Sequence, residues 1–257
     1  MLHGLTELGL SPLAILAILA AGLVAGVANT IVGSGSLLTF PTLLAVGLPP
    51  VVANVSNTVG LVFGSTSGVL GQRPELAGQR GRAISLGIPG ALGGVLGAIL
   101  LLALPQSIFH RVVPALILVA VVLVVLQPWL SGYLAQHPER PGHAWALRIG
   151  VFLTSVYGGY FGAAQGVIFI GVLGAFIKDD LKRLNALKNV LAVIVNGTAA
   201  IVFVVFAHIA WFAAVLIGVS SVVGGQLGAV AARRLDPRVL RGIIVVAGLA
   251  AFVKLLM

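Results

Sequence analysis

The sequence predicts an all-α polytopic membrane protein with two inverted-topology repeats, each a re-entrant or broken helical hairpin followed by three transmembrane helices. Hydrophobic residues make up 59% of the 257 residues and charged residues only 8%, against about 25% charged in soluble domains. The chain also repeats internally, and loops that match across the repeat differ in charge. We expect one integral membrane domain: a first repeat at 1–128, a connecting loop at 129–145 and a second repeat at 146–257.

The repeat is clearest in a glycine motif. The motif GGVLGA begins at Gly93 and returns 131 residues later as GGQLGA, beginning at Gly224. The same offset aligns Asn54 with Asn185, Asn57 with Lys188, Ser65 with Asn196 and Gly87 with Gly218. Small residues let membrane helices approach closely, so we predict that both glycine motifs are helix-packing surfaces.

Ten apolar segments follow one another along the chain, five in each half. They lie at about 12–31, 37–47, 51–71, 83–104 and 112–128, then at about 146–161, 167–177, 184–206, 210–232 and 239–256. The last three of each half approach the ~20 residues that a ~30 Å hydrocarbon core requires. The second segment of each half would form only about 16 Å of helix. We predict that it does not cross the membrane alone.

A glycine-rich break precedes each short segment. The first break is Gly33-Ser34-Gly35-Ser36, and the second combines Gly158-Gly159 with residues 162–166. Each Gly costs a helix about 1 kcal/mol relative to Ala, so we expect the helix to end there. Non-helical backbone at membrane depth is tolerated only when it is buried in protein or lines an aqueous cavity. We therefore predict that both bends lie inside the membrane.

Loop charge predicts that the two repeats are inverted. Lys and Arg collect in cytoplasmic loops, and 13 of the 15 lie at 72–82, 129–148, 178–188 and 233–241. If each hairpin returns to its own side, these four segments share one side of the membrane, and both termini lie outside. If one piece of each hairpin crosses instead, the number of crossings per half becomes even and the inversion fails.

Composition excludes several classes of function. The net charge of +9 does not predict nucleic-acid binding, because topology and anionic lipid headgroups explain basic residues beside apolar spans. All six acidic residues fall in loops or at the N-terminus, whereas cation carriers normally need a carboxylate within a span. The spans also lack the Cys, acid or His pair that an intramembrane enzyme would use. We expect no metal, no cofactor and a neutral or anionic substrate.

Polar residues near the two breaks are the candidate binding site. The candidates are Asn29, Ser34, Gly35, Ser36, Asn54, Asn57, Gly162, Gln165, Gly166, Asn185, Lys188 and Asn189. Half-helices that begin near Leu37 and Val167 would direct free N–H groups and a positive dipole end at the bend, which suits an oxyanion. Paired Gly-interrupted segments also indicate a transport site. The alternative for any one polar residue is a role in helix packing alone.

Lys188 has two competing interpretations. It lies about one turn into the span that begins near Leu184, where it could neutralise an anion that enters from the cytoplasm. Alternatively, its ammonium could extend to the lipid headgroups. The sequence does not decide between them.

The sequence resembles the TauE/SafE sulfite exporter family of membrane permeases over about residues 13–256. The resemblance rests on Gly26-x-x-Asn29-x-x-x-Gly33-Ser34-Gly35-Ser36, Pro41, Gly47-Leu48-Pro49-Pro50, Ala53-Asn54-x-x-Asn57, residues 162–166 and Leu184-Asn185-Ala186-Leu187-Lys188-Asn189. It implies a multi-pass permease of the prokaryotic plasma membrane that moves sulfite or organosulfonates, usually outward. Two departures bear on the substrate: the first break is less glycine-rich than is common, and the second carries Gln165.

The expected function is secondary transport of a small anion, sulfite or an organosulfonate, by alternating access at the repeat interface. The expected partners are this substrate and membrane lipids, with no nucleic acid. The alternatives are an anion channel or an uptake permease for another small anion. A coupled proton would need Lys188, an interfacial His or the substrate itself as its carrier, and uniport is equally compatible. The sequence leaves the oligomeric state open, a homodimer included.

Overall fold

The computed structural model describes residues 10–136, 144–232 and 238–256, which form α-helices and one short 3-10 turn at Arg73–Leu76. The helices are α1 (Pro12–Ile31), α2 (Ser36–Ala45), α3 (Pro50–Gly71), α4 (Arg80–Ala103), α5 (Gln106–Gln136), α6 (Ala144–Tyr160), α7 (Gln165–Phe176), α8 (Leu181–Phe206), α9 (Trp211–Ala231) and α10 (Arg238–Leu256). Within these described ranges, five segments are long and apolar enough to cross a membrane: Pro12–Ile31, Arg80–Ala103, Gln106–Trp129, Leu181–Phe206 and Trp211–Ala231. The chain is therefore an all-helical, polytopic membrane protein, as predicted.

Helix starts follow local sequence signals. Ser11 Oγ accepts a hydrogen bond from the backbone N–H of Ala14 at 3.2 Å, and Pro12 occupies the first position of α1. At the start of α8, Asp180 Oδ1 accepts from the backbone N–H of Lys182 at 3.0 Å. These caps satisfy N–H groups that have no partner within the helix. They explain why the predicted starts of both helices lie close to the observed ones.

Helix α5 differs most from the sequence prediction. An apolar segment was predicted at 112–128, but the helix has 31 residues and contains both Pro114 and Pro128. Prolines are tolerated within membrane helices because neighbouring groups satisfy the freed carbonyls, so Pro128 ended the apolar pattern without ending the helix. The helix covers the first part of the predicted loop at 129–145. Residues 137–143 of that loop lie outside the described residues, as do Glu7, Glu139 and Asp236.

The two short helices are confirmed as separate elements. Helix α2 has 10 residues and α7 has 12, which correspond to about 15 Å and about 18 Å of helix. Both fall well short of a hydrocarbon core of ~30 Å. Each follows a helix end instead of continuing the preceding helix.

Each half of the chain contributes its fourth helix to the other half. Helix α9 packs chiefly against α1 and α3, whereas α4 packs chiefly against α6 and α8. Because α4 and α9 carry the repeated glycine motif, the same arrangement is made twice. We call α1, α3 and α9 the first bundle, and α4, α6 and α8 the second bundle. The two bundles meet mainly along α3 and α8.

The glycine motifs are the packing surfaces of these exchanged helices, as predicted. A Cβ on Gly225 would lie 2.9 Å from the backbone nitrogen of Gly68, and one on Gly97 would lie 2.7 Å from the backbone nitrogen of Tyr160. No side chain fits at such distances, so the helix backbones themselves are in contact. Close approach of this kind lets van der Waals packing hold membrane helices together.

Candidate functional site

Both predicted breaks are helix ends of the same kind. Gly33 follows α1 with φ +89°, and its N–H donates to the carbonyl of Ala28 at 2.8 Å. Gly162 follows α6 with φ +76°, and its N–H donates to the carbonyl of Tyr157 at 3.1 Å. A left-handed glycine that bonds back to the last turn is a common helix terminator, because glycine has no Cβ to strain that conformation.

One side chain from the preceding helix fixes each break. Asn29 Oδ1 accepts from the backbone N–H of Gly35 at 2.6 Å, and the Tyr157 hydroxyl donates to the carbonyl of Ala163 at 2.6 Å. The next residue, Ala164, has φ +56°, a left-handed conformation that costs an L-residue roughly 1–2 kcal/mol. Backbone strain of this kind collects at functional sites.

The two breaks lie directly against each other. The carbonyl of Gly33 accepts a hydrogen bond from the backbone N–H of Gly166 at 3.1 Å. A Cβ built on either glycine would lie 2.5 Å from the Cα of the other, which is too close for any side chain. The contact therefore requires glycine at both positions, and it joins the end of α1 to the beginning of α7.

A small cavity lies beside this contact, between the two bundles. It is lined by Asn29, Thr30, Gly33, Ser36, Ser65, Gly162, Gln165, Gly166, Asn189, Ala192 and Asn196. Its volume is about 20 Å³, and a single water needs roughly 10–15 Å³ measured in this way. The cavity as it stands has room for about one water molecule and is closed to a larger oxyanion.

Residues from equivalent positions of the two repeats line this cavity. Ser65 on α3 and Asn196 on α8 align at the repeat offset, and both contribute to the wall. Gly33 and Gly162 are also equivalent, because each is the left-handed glycine that follows a helix, α1 or α6. Both line the cavity. The cavity therefore lies where the two halves of the chain bring corresponding residues together.

Gln165 is a polar side chain of the cavity wall that is buried without a described partner. It is 3% exposed, and neither its Nε2 nor its Oε1 has a hydrogen-bond partner among the described residues. A Cβ on Gly158 would lie 2.9 Å from Gln165 Cδ, so the glycine at 158 makes room for the amide. An unpaired buried donor or acceptor costs about 1–3 kcal/mol. Gln165 thus holds one donor and one acceptor at the wall without a protein partner.

Lys188 is buried completely, at 0% exposure, which excludes the headgroup interpretation. Its Nζ donates to the carbonyl of Asn29 at 3.2 Å and lies 3.2 Å from where a Cβ on Gly33 would be. Because Asn29 and Gly33 line the cavity, the ammonium lies directly behind its wall. No carboxylate pairs with Lys188 within the described part of the chain. A buried cation without a partner is costly, so an anion in the cavity would stabilise it.

Three asparagine amides tie α3 and α8 to the ends of the broken helices. Asn185 and Asn189 each donate to the carbonyl of Thr30 at 3.0 Å, and Asn54 donates to the carbonyl of Tyr160 at 3.0 Å. Asn54 and Asn185 are repeat equivalents and make corresponding bonds, one to the end of α6 and one to the end of α1. These bonds cross between the two bundles. They hold the bundles together next to the cavity.

The remaining candidates support the first break from outside the lining. Asn57 Nδ2 donates to Ser36 Oγ at 3.2 Å, and Asn57 Oδ1 accepts from the hydroxyl of Thr39. Asn57 therefore anchors the start of α2. Ser34 is 1% exposed, and its hydroxyl has no partner among the described residues.

The expectation of free N–H groups at the start of α7 is wrong. The backbone N–H groups of Gln165, Gly166 and Val167 all donate to carbonyls, at 3.3, 3.1 and 2.9 Å respectively. The tight turn supplies two of these carbonyls and the neighbouring break supplies the third. The positive end of the helix dipole still points at the contact between the breaks, but its N–H groups are already occupied.

Half of the candidate residues that the sequence predicted lie in the cavity wall, and several other lining residues were not predicted. The candidates that line the cavity are Asn29, Ser36, Gly162, Gln165, Gly166 and Asn189, and the lining residues that were missed are Thr30, Gly33, Ser65, Ala192 and Asn196. The repeat offset aligns Ser65 with Asn196, so it could have singled them out. No pattern marks Ala192, whose side chain is apolar.

A charged cluster lies away from the cavity, where the α7–α8 loop meets α4. Asp179 pairs with Arg82 and with Arg183, the latter at 2.8 Å. Burial alone raises the pKa of the Asp179 carboxyl, but hydrogen bonds from Arg82, from the backbone N–H of Asp180 and from Arg183 outweigh it and hold that pKa below its usual value. Within the described ranges, no three His, Asp or Glu side chains gather closely enough to bind a metal ion.

Comparisons with known proteins place this architecture in a family. The family model described as "Sulfite exporter TauE/SafE" matches residues 18–255. The "Probable membrane transporter protein ORF9" of Sinorhizobium sp is 25% identical over 236 residues, which cover 92% of this chain and 90% of that protein. A "Probable membrane transporter protein" of Haemophilus influenzae is 28% identical over 230 residues, or 87% of this chain and 86% of its own length. The "Probable membrane transporter protein YfcA" of Escherichia coli is 23% identical over 247 residues, which cover 96% of this chain and 91% of that protein.

No solved structure gives a significant match. The family model nevertheless spans all ten helices, apart from a few residues at either end. The curated relatives, which are named as membrane transporters, match along almost their whole length. The chain therefore belongs to the sulfite exporter TauE/SafE family.

Proposed function

We propose that this protein is a secondary transporter for a small sulfur-containing anion, sulfite or an organosulfonate, which binds where the two breaks meet. The observation that carries the proposal is the closed cavity between the bundles, whose wall holds the unpartnered amide of Gln165 and has Lys188 directly behind it. An anion there would pair with the ammonium and with the amide. The family description names sulfite export, which agrees with such a ligand.

The proposed transport cycle is alternating access between the two bundles. Equivalent helices make equivalent contacts when the halves are exchanged: α1 with α9 matches α6 with α4, and α2 with α3 matches α7 with α8. This correspondence supports two structurally equivalent repeats. We propose their inversion from the loop charges, and inverted repeats place a binding site at their interface. Rocking of one bundle against the other along α3 and α8 would open the cavity to one side at a time.

The hydrogen bonds of the equivalent residues Asn54 and Asn185 would break and form again during this cycle. In the proposed orientation Asn54 lies on the outer side of the cavity and Asn185 on the cytoplasmic side, because the basic loops at 72–82 and 178–188 are cytoplasmic. Both bonds are formed in the structure, and the cavity has a volume of only about 20 Å³. We assign this state to the occluded intermediate of a multi-pass permease in a prokaryotic plasma membrane.

Flux measurements in proteoliposomes test the proposal. Purified protein should move radiolabelled sulfite faster than empty vesicles, and unlabelled organosulfonates should compete. Single-channel recording tests the channel alternative, because a carrier turns over too slowly to give unitary currents. Absence of flux for sulfite and for every organosulfonate tested would rule out the proposed substrates.

A further inference from the structure

We propose that this site selects oxyanions that carry a hydrogen-bond donor, so that the transported form of sulfite is the protonated monoanion, hydrogen sulfite, and not the dianion. The inference rests on the proposed function and narrows the substrate class of the same cavity. It follows from the unpaired groups of the wall and from the charge behind it.

The amide of Gln165 offers both kinds of hydrogen bond. Its NH₂ group donates and its carbonyl accepts, and neither has a partner among the described residues. If the amide of Gln165 is turned so that its nitrogen and oxygen exchange places, its NH₂ group and its carbonyl oxygen both still lack a partner. A fully deprotonated oxyanion has only acceptors, so it would satisfy the nitrogen and place its own lone pairs against the oxygen. A ligand with one O–H or N–H satisfies both.

Further acceptors in the wall favour the same kind of ligand. Asn189 uses its Nδ2 in bonds to the Thr30 carbonyl at 3.0 Å and to Gln72 Oε1 at 2.6 Å, while its Oδ1 accepts from no described residue. Asn196 makes no side-chain hydrogen bond within the described ranges and presents both an NH₂ group and an amide oxygen, so it too is fully satisfied only by a ligand that both accepts and donates. Amide oxygens repel an anion unless a hydrogen lies between them, because both carry negative charge.

The charge at the site fits a monoanion. The lining residues are all neutral, and Lys188, which lies behind Asn29 and Gly33, can supply at most one positive charge. A second negative charge in the closed cavity would have no cation to pair with, and burying an unpaired charge is costly. A proton that travels on the substrate removes this cost and requires no titrating side chain in the wall.

Two isosteric monoanions provide the test. Sulfamate and methanesulfonate have nearly the same shape and the same charge, but sulfamate carries N–H donors where methanesulfonate has C–H groups. We expect sulfamate to bind about tenfold more tightly, the ratio that corresponds to about 1.4 kcal/mol, a typical penalty for one unsatisfied buried acceptor. Affinity is measured by competition against labelled sulfite flux and by ligand-induced thermal shift of the purified protein.

A matched pair of variants assigns the effect to Gln165. Gln165→Leu removes the donor and the acceptor at similar volume and should bring the ratio of the two affinities close to one. Gln226→Leu is the control, because its amide donates to the carbonyl of Ser67 at 2.8 Å where α3 packs on α9, away from the cavity lining. Gln226→Leu should keep the tenfold ratio. Size-exclusion profiles establish that each variant is folded.

The outcomes separate this inference from the proposed function. Equal affinity for sulfamate and methanesulfonate in the parent protein overturns donor selection while leaving anion transport intact, and it would mean that a trapped water satisfies Gln165. A tenfold preference that survives in Gln165→Leu overturns the role of that amide. If neither anion competes, sulfite itself decides: its apparent KM should rise with pH in the parent protein and in Lys188→Met alike, because the substrate and not the buried lysine loses the proton, and a constant KM in either protein overturns the inference. Loss of all sulfur-oxyanion flux refutes the proposed function instead.

Discussion

Gly33 and Gly166 touch backbone to backbone, the carbonyl of one accepting the N–H of the other at 3.1 Å. The contact joins the end of α1 to the beginning of α7 and forms part of the cavity wall. Because the two helices come from different halves of the chain, this contact sets the distance between the halves at the site. A substrate larger than one water molecule can enter the cavity only when the two halves of the chain move apart at this wall.

Gly166→Ala should destabilise the closed state and abolish most transport. The added methyl would lie 2.5 Å from Gly33 Cα, and overpacking of this kind costs about 1–3 kcal/mol. We expect a lower thermal midpoint and a loss of sulfite flux of at least about tenfold. Gly242→Ala on α10 is the control, since a Cβ there meets nothing within 4 Å. Equal behaviour of the two variants would contradict the proposed contact.

Lys188→Met should weaken anion binding without destabilising the empty protein. Opposite unit charges a few ångströms apart attract by roughly 2–4 kcal/mol at an effective dielectric constant of about 20, so affinity for sulfite should fall by at least about tenfold. Removing a buried cation that lacks a carboxylate partner is often neutral or stabilising, and the midpoint without ligand should therefore stay the same or rise. Lys182→Met, at an exposed position of the same helix, should leave both measurements unchanged. A lower midpoint with unchanged anion affinity would show that Lys188 is only structural.

Asn54→Ala and Asn185→Ala should open the cavity to opposite sides of the membrane. The parent chain has no cysteine, so Ser65→Cys places one reactive probe in the cavity wall. Loss of one hydrogen bond worth about 1 kcal/mol shifts the open population by about fivefold. An impermeant maleimide should then label the probe faster from outside in the Asn54→Ala background and faster from the cytoplasm in the Asn185→Ala background. Faster labelling from the same side in both would contradict alternating access.

The Asp179 cluster should stabilise the fold only above acidic pH. Its carboxyl has a folded-state pKa below the ordinary value of 3.8, so its contribution is present above that value and is lost as pH falls through the folded pKa. Asp179→Asn should therefore lower the thermal midpoint at pH 7, and the difference should shrink as pH falls below 3.8. The effect should be small, and high salt should reduce it, because Arg82 is partly exposed. Asp180→Asn is the comparison, since it keeps a side-chain oxygen that can cap α8.

Local signals explain which parts of the fold could be predicted. The limits of α1 were predicted correctly because Ser11 and Pro12 mark its start and Gly33 follows its end. The exchange of α4 and α9 between the halves could not be predicted, since a glycine motif indicates a close-packing face and not its partner. The length of α5 was missed because Pro128 interrupts the apolar pattern while the helix continues.

At the site too, features that depend on nearby sequence could be predicted, whereas contacts between distant parts of the chain could not. Gln165 and Asn29 could be proposed because they are polar residues beside a break. The burial of Lys188 depends on the carbonyl of Asn29, which lies 159 residues away in sequence. No pattern around position 188 indicates that partner. The occupied N–H group of Gly166 was missed for the same reason, because the carbonyl of Gly33 belongs to the other half, whereas the N–H groups of Gln165 and Val167 bond to carbonyls within their own turn.

The exchange of fourth helices has a consequence for biosynthesis. Helices α1 and α3 enter the membrane when α9 has not yet been translated, so the surfaces that α9 later covers, including Gly26 and Gly64, first face lipid or the insertion machinery. Neither half can complete its own bundle. A chain severed between the halves should therefore yield two fragments that are degraded when made singly and assemble when produced together. The second bundle can therefore form once α8 has been inserted, whereas the first bundle is completed only after α9 has been translated.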